Sequence, residues 1–148
     1  MTFYVIDASV ASRFLLVEDL AVEARLVLEH FLGGLLDLKA PGLILYEVGN
    51  TLWKAARQGL ITDDEALQKF SHFLALKIGS IYLDADECKE ALKWGLENGA
   101  TYYDSMYVKA TSKEKAILLT ADDTLYNKSH RTTPTIHLRD YRKKKTRR

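Results

Sequence analysis

The chain has one cysteine, Cys88, so it cannot close an internal disulfide or assemble a thiolate metal site by itself. Proline occurs twice and glycine eight times in 148 residues, and neither clusters into a linker that would divide the chain. No run of about 18 apolar residues exists, so a membrane span is not expected. The opening MTFYVIDASV carries no basic segment ahead of its apolar residues, so it does not read as a signal peptide. A cytoplasmic, reducing location is the resulting expectation. The four histidines (His30, His72, His130 and His137) stand apart, with no HExxH or paired spacing. His30 and His72 fall in amphipathic stretches and read as interface or surface residues. A Walker loop, a GxGxxG fingerprint and a GxSxG elbow are all missing. Asp7-Ala8-Ser9 lacks the second aspartate of a phosphatase nucleophile loop. Tyr46, Trp53, Trp94, Tyr102, Tyr103 and Tyr107 recur at helical spacing, as core or interface residues do, rather than alternating as a base-stacking platform would.

What is present is an ordinary globular composition, 47% apolar and 28% charged, at a length that suits one domain. The net charge of +1 conceals two unlike parts. Residues 139–148 hold seven Lys/Arg and one Asp, a net +6, and the 138 residues before them hold 14 basic and 19 acidic side chains, a net −5. We therefore read 1–138 as the domain and 139–148 as a basic tail. Such a tail is either a solvated, disordered end or a phosphate-seeking arm that uses Lys143, Lys144, Lys145, Arg147 and Arg148.

Periodicity predicts alternating strands and helices. Phe3 to Ile6 is a β-prone run, and Val10, Phe14 and Val17 follow at helical spacing. A second amphipathic stretch from Leu20 to Leu32 stops at Gly33-Gly34. Leu36 to Lys39 alternates toward Pro41, and Leu45, Val48, Leu52 and Ala56 repeat helically up to Gly59. Thr62 and Glu65 form a capping box for a helix through Leu74. Ser80 to Leu83 reads as a strand, and Glu87 to Asn98 and Tyr103 to Lys113 as helices. Ala116 to Thr120 reads as a strand, Asp122 to Asn127 as a helical turn, and Thr135 to Leu138 as a last strand. This alternation predicts an α/β protein with a mostly parallel sheet covered on both faces. Ligands of such sheets collect beyond the carboxyl ends of the strands.

Four carboxylates interrupt apolar stretches: Asp7 in VIDASV, Glu47 in LYEVGN, Asp104 in YYDSMY and Asp122 in LLTADD. A charge in such a setting is costly unless something pairs with it. Asp7 directly follows one predicted strand and Asp122 lies two residues beyond another, which puts both at one rim of the sheet. Each acid also has a simpler role. Asp7 and Asp122 suit N-caps, with Asp123 a rival to the latter, and Asp104 suits a first helical turn. Glu47 could sit at the edge of its helix's apolar stripe, beside Leu43 and Ile44. Taken together, carboxylate oxygens without His or Cys suit Mg²⁺ or Mn²⁺, an ion that takes further ligands from a substrate phosphate.

In these motifs and their order the chain resembles the PIN domain nucleases, and among them the VapC-type toxins of toxin–antitoxin pairs. The resemblance spans about residues 3 to 138: a strand then DASV at Asp7, E-x-x-N at Glu47 and Asn50, YYDSMYVKA around Asp104, and LLTAD ending at Asp122. It implies a three-layer α/β/α sandwich and a Mg²⁺- or Mn²⁺-dependent endoribonuclease whose acidic positions match Asp7, Glu47, Asp104 and Asp122. Asp7 and Asp104 would be the main metal ligands, and Asp122 would complete the site. Glu47 would ligate through water or act as general base. Ser9 and Thr120 match hydroxyl positions near the metal, and Asn50 matches an orienting position. The implied partners are RNA, a cognate antitoxin and a second copy of the chain. The helices at Leu20–Leu32 and Thr62–Leu74 would offer the apolar surface for them, unless that surface is ordinary core. A PIN nuclease of RNA processing and a catalytically silent RNA- or protein-binding PIN module are the alternatives.

Overall fold

The structure is a computed structural model that describes residues 1–141. Among these residues, five strands form one sheet in the order β3-β2-β1-β4-β5. They are β1 (Thr2–Ile6), β2 (Leu36–Pro41), β3 (Gly79–Ile81), β4 (Ile117–Thr120) and β5 (Thr135–His137), and every pairing is parallel. Between them run α1 (Ala8–Arg13), α2 (Ala21–Leu32), α3 (Leu43–Arg57), α4 (Asp63–Ala75), α5 (Ala85–Asn98), α6 (Tyr102–Glu114) and α7 (Asp123–Ser129), with a 3₁₀ turn at Leu138–Asp140. Connections from β1 through β3 step outward in one direction, and those from β3 through β5 step in the other. Right-handed crossovers therefore place α1 to α4 on one face and α5 to α7 on the opposite one. The three-layer sandwich expected from the alternation is the observed fold.

The sheet's reversal of order falls between β1 and β4, and these two central strands are the most deeply buried. Val5, Ile6, Leu118 and Leu119 are inaccessible to solvent, each contributing on the order of 1.5–3 kcal/mol by leaving water. Ile6 pairs with Leu119 and Thr120 with His137. That register brings the residues just beyond Ile6 level with the end of β4. One close approach sets the helix that follows β3. A Cβ at Gly95 in α5 would lie 2.5 Å from the Ser105 Oγ in α6, so glycine there lets α5 close against the helix that carries Asp104.

Local capping follows the sequence. Thr62 and Glu65 form the expected capping box, and Asp84 with Glu87 forms a second one. Three boundaries differ from expectation. The helix after β1 ends at Arg13 although the apolar spacing runs on to Val17, which is fully exposed. Arg13 folds back there, donating to the Ser9 carbonyl at 2.7 Å and to Asp19 Oδ1 at 2.6 Å, and so favours the turn over another helical step. The third strand stops at Ile81, leaving Leu83 buried outside the sheet. At the far end, the folded region passes the expected boundary at residue 138. Tyr141 is 2% exposed, packs edge-to-face on Tyr4 with ring centroids 6.1 Å apart, and shares a 2.7 Å hydrogen bond with His30 Nδ1. A charged flank in the sequence hid this apolar anchor. Lys143, Lys144, Lys145, Arg147 and Arg148 lie outside the described residues.

Tyr141→Ala should destabilise the fold by roughly 3–5 kcal/mol, as large-to-small aromatic truncations in cores do. Equilibrium urea unfolding measures this, and a loss below about 1 kcal/mol would remove Tyr141 from the core.

Candidate active site

Asp7 follows the last residue of β1 and caps α1. Its Oδ1 accepts from the Val10 N–H at 3.2 Å and from the Ser9 hydroxyl at 2.6 Å, and its Oδ2 accepts from the Thr120 hydroxyl at 2.6 Å. The two hydroxyls are themselves fixed: Ser9 Oγ accepts from the Ala121 N–H at 2.8 Å, and Thr120 Oγ1 from the Asp122 N–H at 3.0 Å. This small network ties the end of β1 to the loop after β4. A carboxylate offers about four acceptor positions, and three are used here, which leaves one on Oδ2. Asp7 is 4% exposed, and no Lys or Arg among the described residues pairs with it. Burial pushes its carboxyl from the usual 3.8 up to about 6; the three hydrogen bonds oppose the rise and the nearby Asp104 charge adds to it.

Asp104 lies in the first turn of α6, whose cap is the Thr101 hydroxyl. Its carboxyl is raised by burial first, then by the charges of Asp122 and Glu47, with Lys128 acting the other way. Those mutual influences show that all four acids reach one neighbourhood at the carboxyl rim of the sheet. Glu47 enters from α3 and is held by a residue that the sequence reading had assigned to core or interface. Tyr107 is 1% exposed and donates its hydroxyl to Glu47 Oε1 at 2.6 Å. Burial and the Glu47 carboxylate push the phenol far above its ordinary range. Tyr107 is three residues after Asp104, so both lie on one face of α6. That spacing was the signal available in the sequence, although the 60-residue gap to Glu47 concealed the partner.

Asp122 and Asp123 separate cleanly. Asp122 caps α7 by accepting from the Leu125 N–H at 3.0 Å and raises the Asp104 carboxyl. Asp123 turns away, accepting from His137 Nε2 at 2.8 Å and Arg139 at 3.1 Å. Asn50 is exposed and makes no hydrogen bond to the four acids among the described residues. Ser9 and Thr120 are bonded to Asp7, and Tyr107, bonded to Glu47, is an addition.

The donor set is wholly oxygen, and its charge has no ion-pair partner among the described residues, which suits a hard divalent cation. Yet no three of the described His, Cys, Asp or Glu side chains are gathered tightly enough to ligate one ion by themselves. One Glu47 oxygen is engaged by the Tyr107 hydroxyl. A cation of the Mg²⁺ kind fits such an open arrangement because it keeps several waters and takes only one or two carboxylates.

A model of the PIN domain family matches residues 4–130. Ribonuclease VapC3 of Pyrobaculum aerophilum is 35% identical over 128 residues, 84% of this chain and 92% of that protein. Exonuclease VapC9 of the same organism is 32% identical over 88 residues, 59% of this chain and 63% of that protein. The crystal structure of PAE2754 from Pyrobaculum aerophilum superposes with a TM-score of 0.72, covering 99% of this chain and 98% of that one at 23% identity, a likeness of fold.

The raised Asp7 carboxyl has a stability consequence. Its folded state holds the proton more tightly than the unfolded chain, so its contribution is lost as pH rises from about 3.8 through about 6. In metal-free buffer at pH 7, Asp7→Asn should therefore stabilise the protein by up to about 3 kcal/mol. The gain should vanish near pH 4. Thermal unfolding in EDTA at both pH values tests this, and a destabilised variant at pH 7 would contradict it.

Proposed function

Because the chain belongs to the VapC type of the PIN domain family, we propose that it is a Mg²⁺- or Mn²⁺-dependent endoribonuclease and the toxin of a toxin–antitoxin pair. The observation that carries the activity is the convergence of Asp7, Glu47, Asp104 and Asp122 on one rim with no Lys or Arg of the described residues in an ion pair with them. Asp7 through its remaining Oδ2 position, Asp104 and Asp122 would hold the ion. When bound, it supplies charge neutralisation at the scissile phosphate and a more acidic water. Ser9 and Thr120 keep Asp7 from rotating, so its open acceptor position stays aimed at the rim. Tyr107 occupies Oε1 of Glu47, which leaves Oε2 to accept the proton of the attacking water. VapC3 is named a ribonuclease and VapC9 an exonuclease, so cutting within the strand is the finer part of the proposal.

The partner part rests on exposed apolar side chains. Trp53 on α3 and Leu67 on α4 are 59% and 70% exposed. They border a cavity of about 470 Å³ that also reaches Leu52 and Phe70. The proposal assigns it to an apolar segment of the antitoxin. It lies between α3 and α4, whereas the sequence had pointed to α2 and α4. A homodimer remains part of the proposal, carried by the family likeness alone. No helix among the described residues is long and apolar enough to cross a membrane.

Circularised single-stranded RNA tests the central claim. The wild type should cut it with Mg²⁺ or Mn²⁺ and not in EDTA, and Asp7→Asn and Asp104→Asn should each lose at least about 100-fold in rate. Cleavage in EDTA, or by both variants, would sink the metal-hydrolysis reading. Digestion of linear RNA alone would make the enzyme an exonuclease, and Mg²⁺ binding without cleavage of any RNA would favour the silent binding module. A reading frame for a small antitoxin directly upstream would separate the toxin from an RNA-processing nuclease. Tyr107→Phe keeps the packing and removes one hydroxyl; kcat should fall about tenfold with KM for RNA unchanged. An unchanged kcat would remove Tyr107 from the site.

A further inference from the structure

Four acids that must meet an RNA phosphate create a repulsive approach, so the strand needs positive charge close by. The sequence concentrates its net positive charge at one end. Residues 124–148 contain nine Lys/Arg and one acid, Asp140, a net +8; residues 1–123 contain 12 and 19, a net −7. This stretch begins two residues past Asp122, so the sign of the chain inverts beside the fourth acid. The described part of it is an ordered surface. Lys128 bonds the Gly99 carbonyl and is close enough to Asp104 to lower its carboxyl. Arg139 lies over the Tyr126 ring at 5.5 Å and is oriented by Asp123 at 3.1 Å, which His137 holds in turn at 2.8 Å. Tyr126 also stacks on His130, with ring centroids 4.8 Å apart and planes 4° from parallel. The His130 ring is fixed by the Tyr126 carbonyl at 2.9 Å and is exposed. Arg131 next to it is exposed and pairs with no carboxylate among the described residues.

We propose that α7 and the 3₁₀ turn form the track for single-stranded RNA beside the acids, with phosphates on Arg131 and Arg139 and one base stacked on the outer face of His130. The inference rests on the ribonuclease reading and goes beyond it by naming where the strand lies. Consecutive residues divide the labour: Asp122 faces the other acids, and Asp123 aims the guanidinium that receives the chain. Tyr126 is already covered by His130 and Arg139, so it backs the platform rather than touching a base. Because the stack has no hydrogen-bond readout, the track prefers unpaired RNA without fixing its sequence.

The test uses the full chain carrying Asp104→Asn, so that RNA is bound without being cut, and a single-stranded oligonucleotide containing 2-aminopurine. Anisotropy titrations between about 50 and 300 mM salt give the slope of log K against log salt. Arg131→Ala and Arg139→Ala should each reduce that slope by about 0.7, the release expected from one phosphate contact on a single strand. His130→Ala should weaken binding about tenfold and abolish the aminopurine quench while leaving the slope alone. Lys115→Gln, at the amino end of β4, should change neither quantity. Equal slopes in all variants, or a Lys115→Gln effect as large as that of Arg131→Ala, would overturn the track. Arg131→Ala in the otherwise wild-type enzyme adds a separate check: RNA cleavage with unaltered KM would overturn the track and leave the ribonuclease reading standing. A wild type that neither binds nor cleaves single-stranded RNA would remove that reading and the track with it.

Discussion

The unpaired charge of Asp7 is the constraint on which the rim is built. A carboxylate almost wholly removed from water, with no cation paired to it among the described residues, is an unfavourable element that a fold selected for stability alone would discard. Here it is supported from three directions by the Val10 amide and the Ser9 and Thr120 hydroxyls. Those hydroxyls take their own hydrogen bonds from the Ala121 and Asp122 amides. The same few bonds therefore orient the acid, join β1 to the loop after β4 and place Asp122. The local structure is spent on holding a charge that no described residue neutralises, the arrangement expected where a ligand brings the opposite charge.

The remaining acids show how a sheet and its helices divide the placement. Asp7 and Asp122 stand at strand ends, and parallel register alone brings them to one level. Glu47 and Asp104 come from helices on opposite faces of the sheet, and the Glu47 charge acts on the Asp104 carboxyl. The Tyr107–Glu47 hydrogen bond joins those two helices across the carboxyl edge. It gives Glu47 an attractive contact to a phenol while the Glu47 charge still raises the Asp104 carboxyl. An open site is the cost of that arrangement, and a hydrated divalent ion tolerates it.

Much of this was legible in the sequence, for identifiable reasons. Strand runs ending in Asp or Thr, glycine stops and the Thr62–Glu65 capping box are local signals, and the helices they announce appear within a few residues. The rim position of Asp7 and Asp122 needs only strand polarity. What could not be read depends on contacts between distant segments. The early end of α1 is set by Arg13 reaching Asp19, while Val17 keeps a helical spacing with nothing to pack against. The choice between Asp122 and Asp123 is made by His137 and Arg139, from a strand end and a turn that follow. Tyr141 looked like part of a charged tail because its neighbours are basic, and only the pocket beside Tyr4 and His30 identifies it as core.

That segment also explains why acid and base can coexist so closely. Lys128 of α7 lowers the Asp104 carboxyl without forming an ion pair with it, and no Lys or Arg of the described residues pairs with any of the four acids. Arg139 is engaged by Asp123 and Asp140, not by Asp122. The α7 helix thus has a negative cap in the pocket at one end and cations at the other, a polarity opposed to its own backbone dipole at neither end. The separation is set by chain order and a seven-residue helix, so it persists without any ligand.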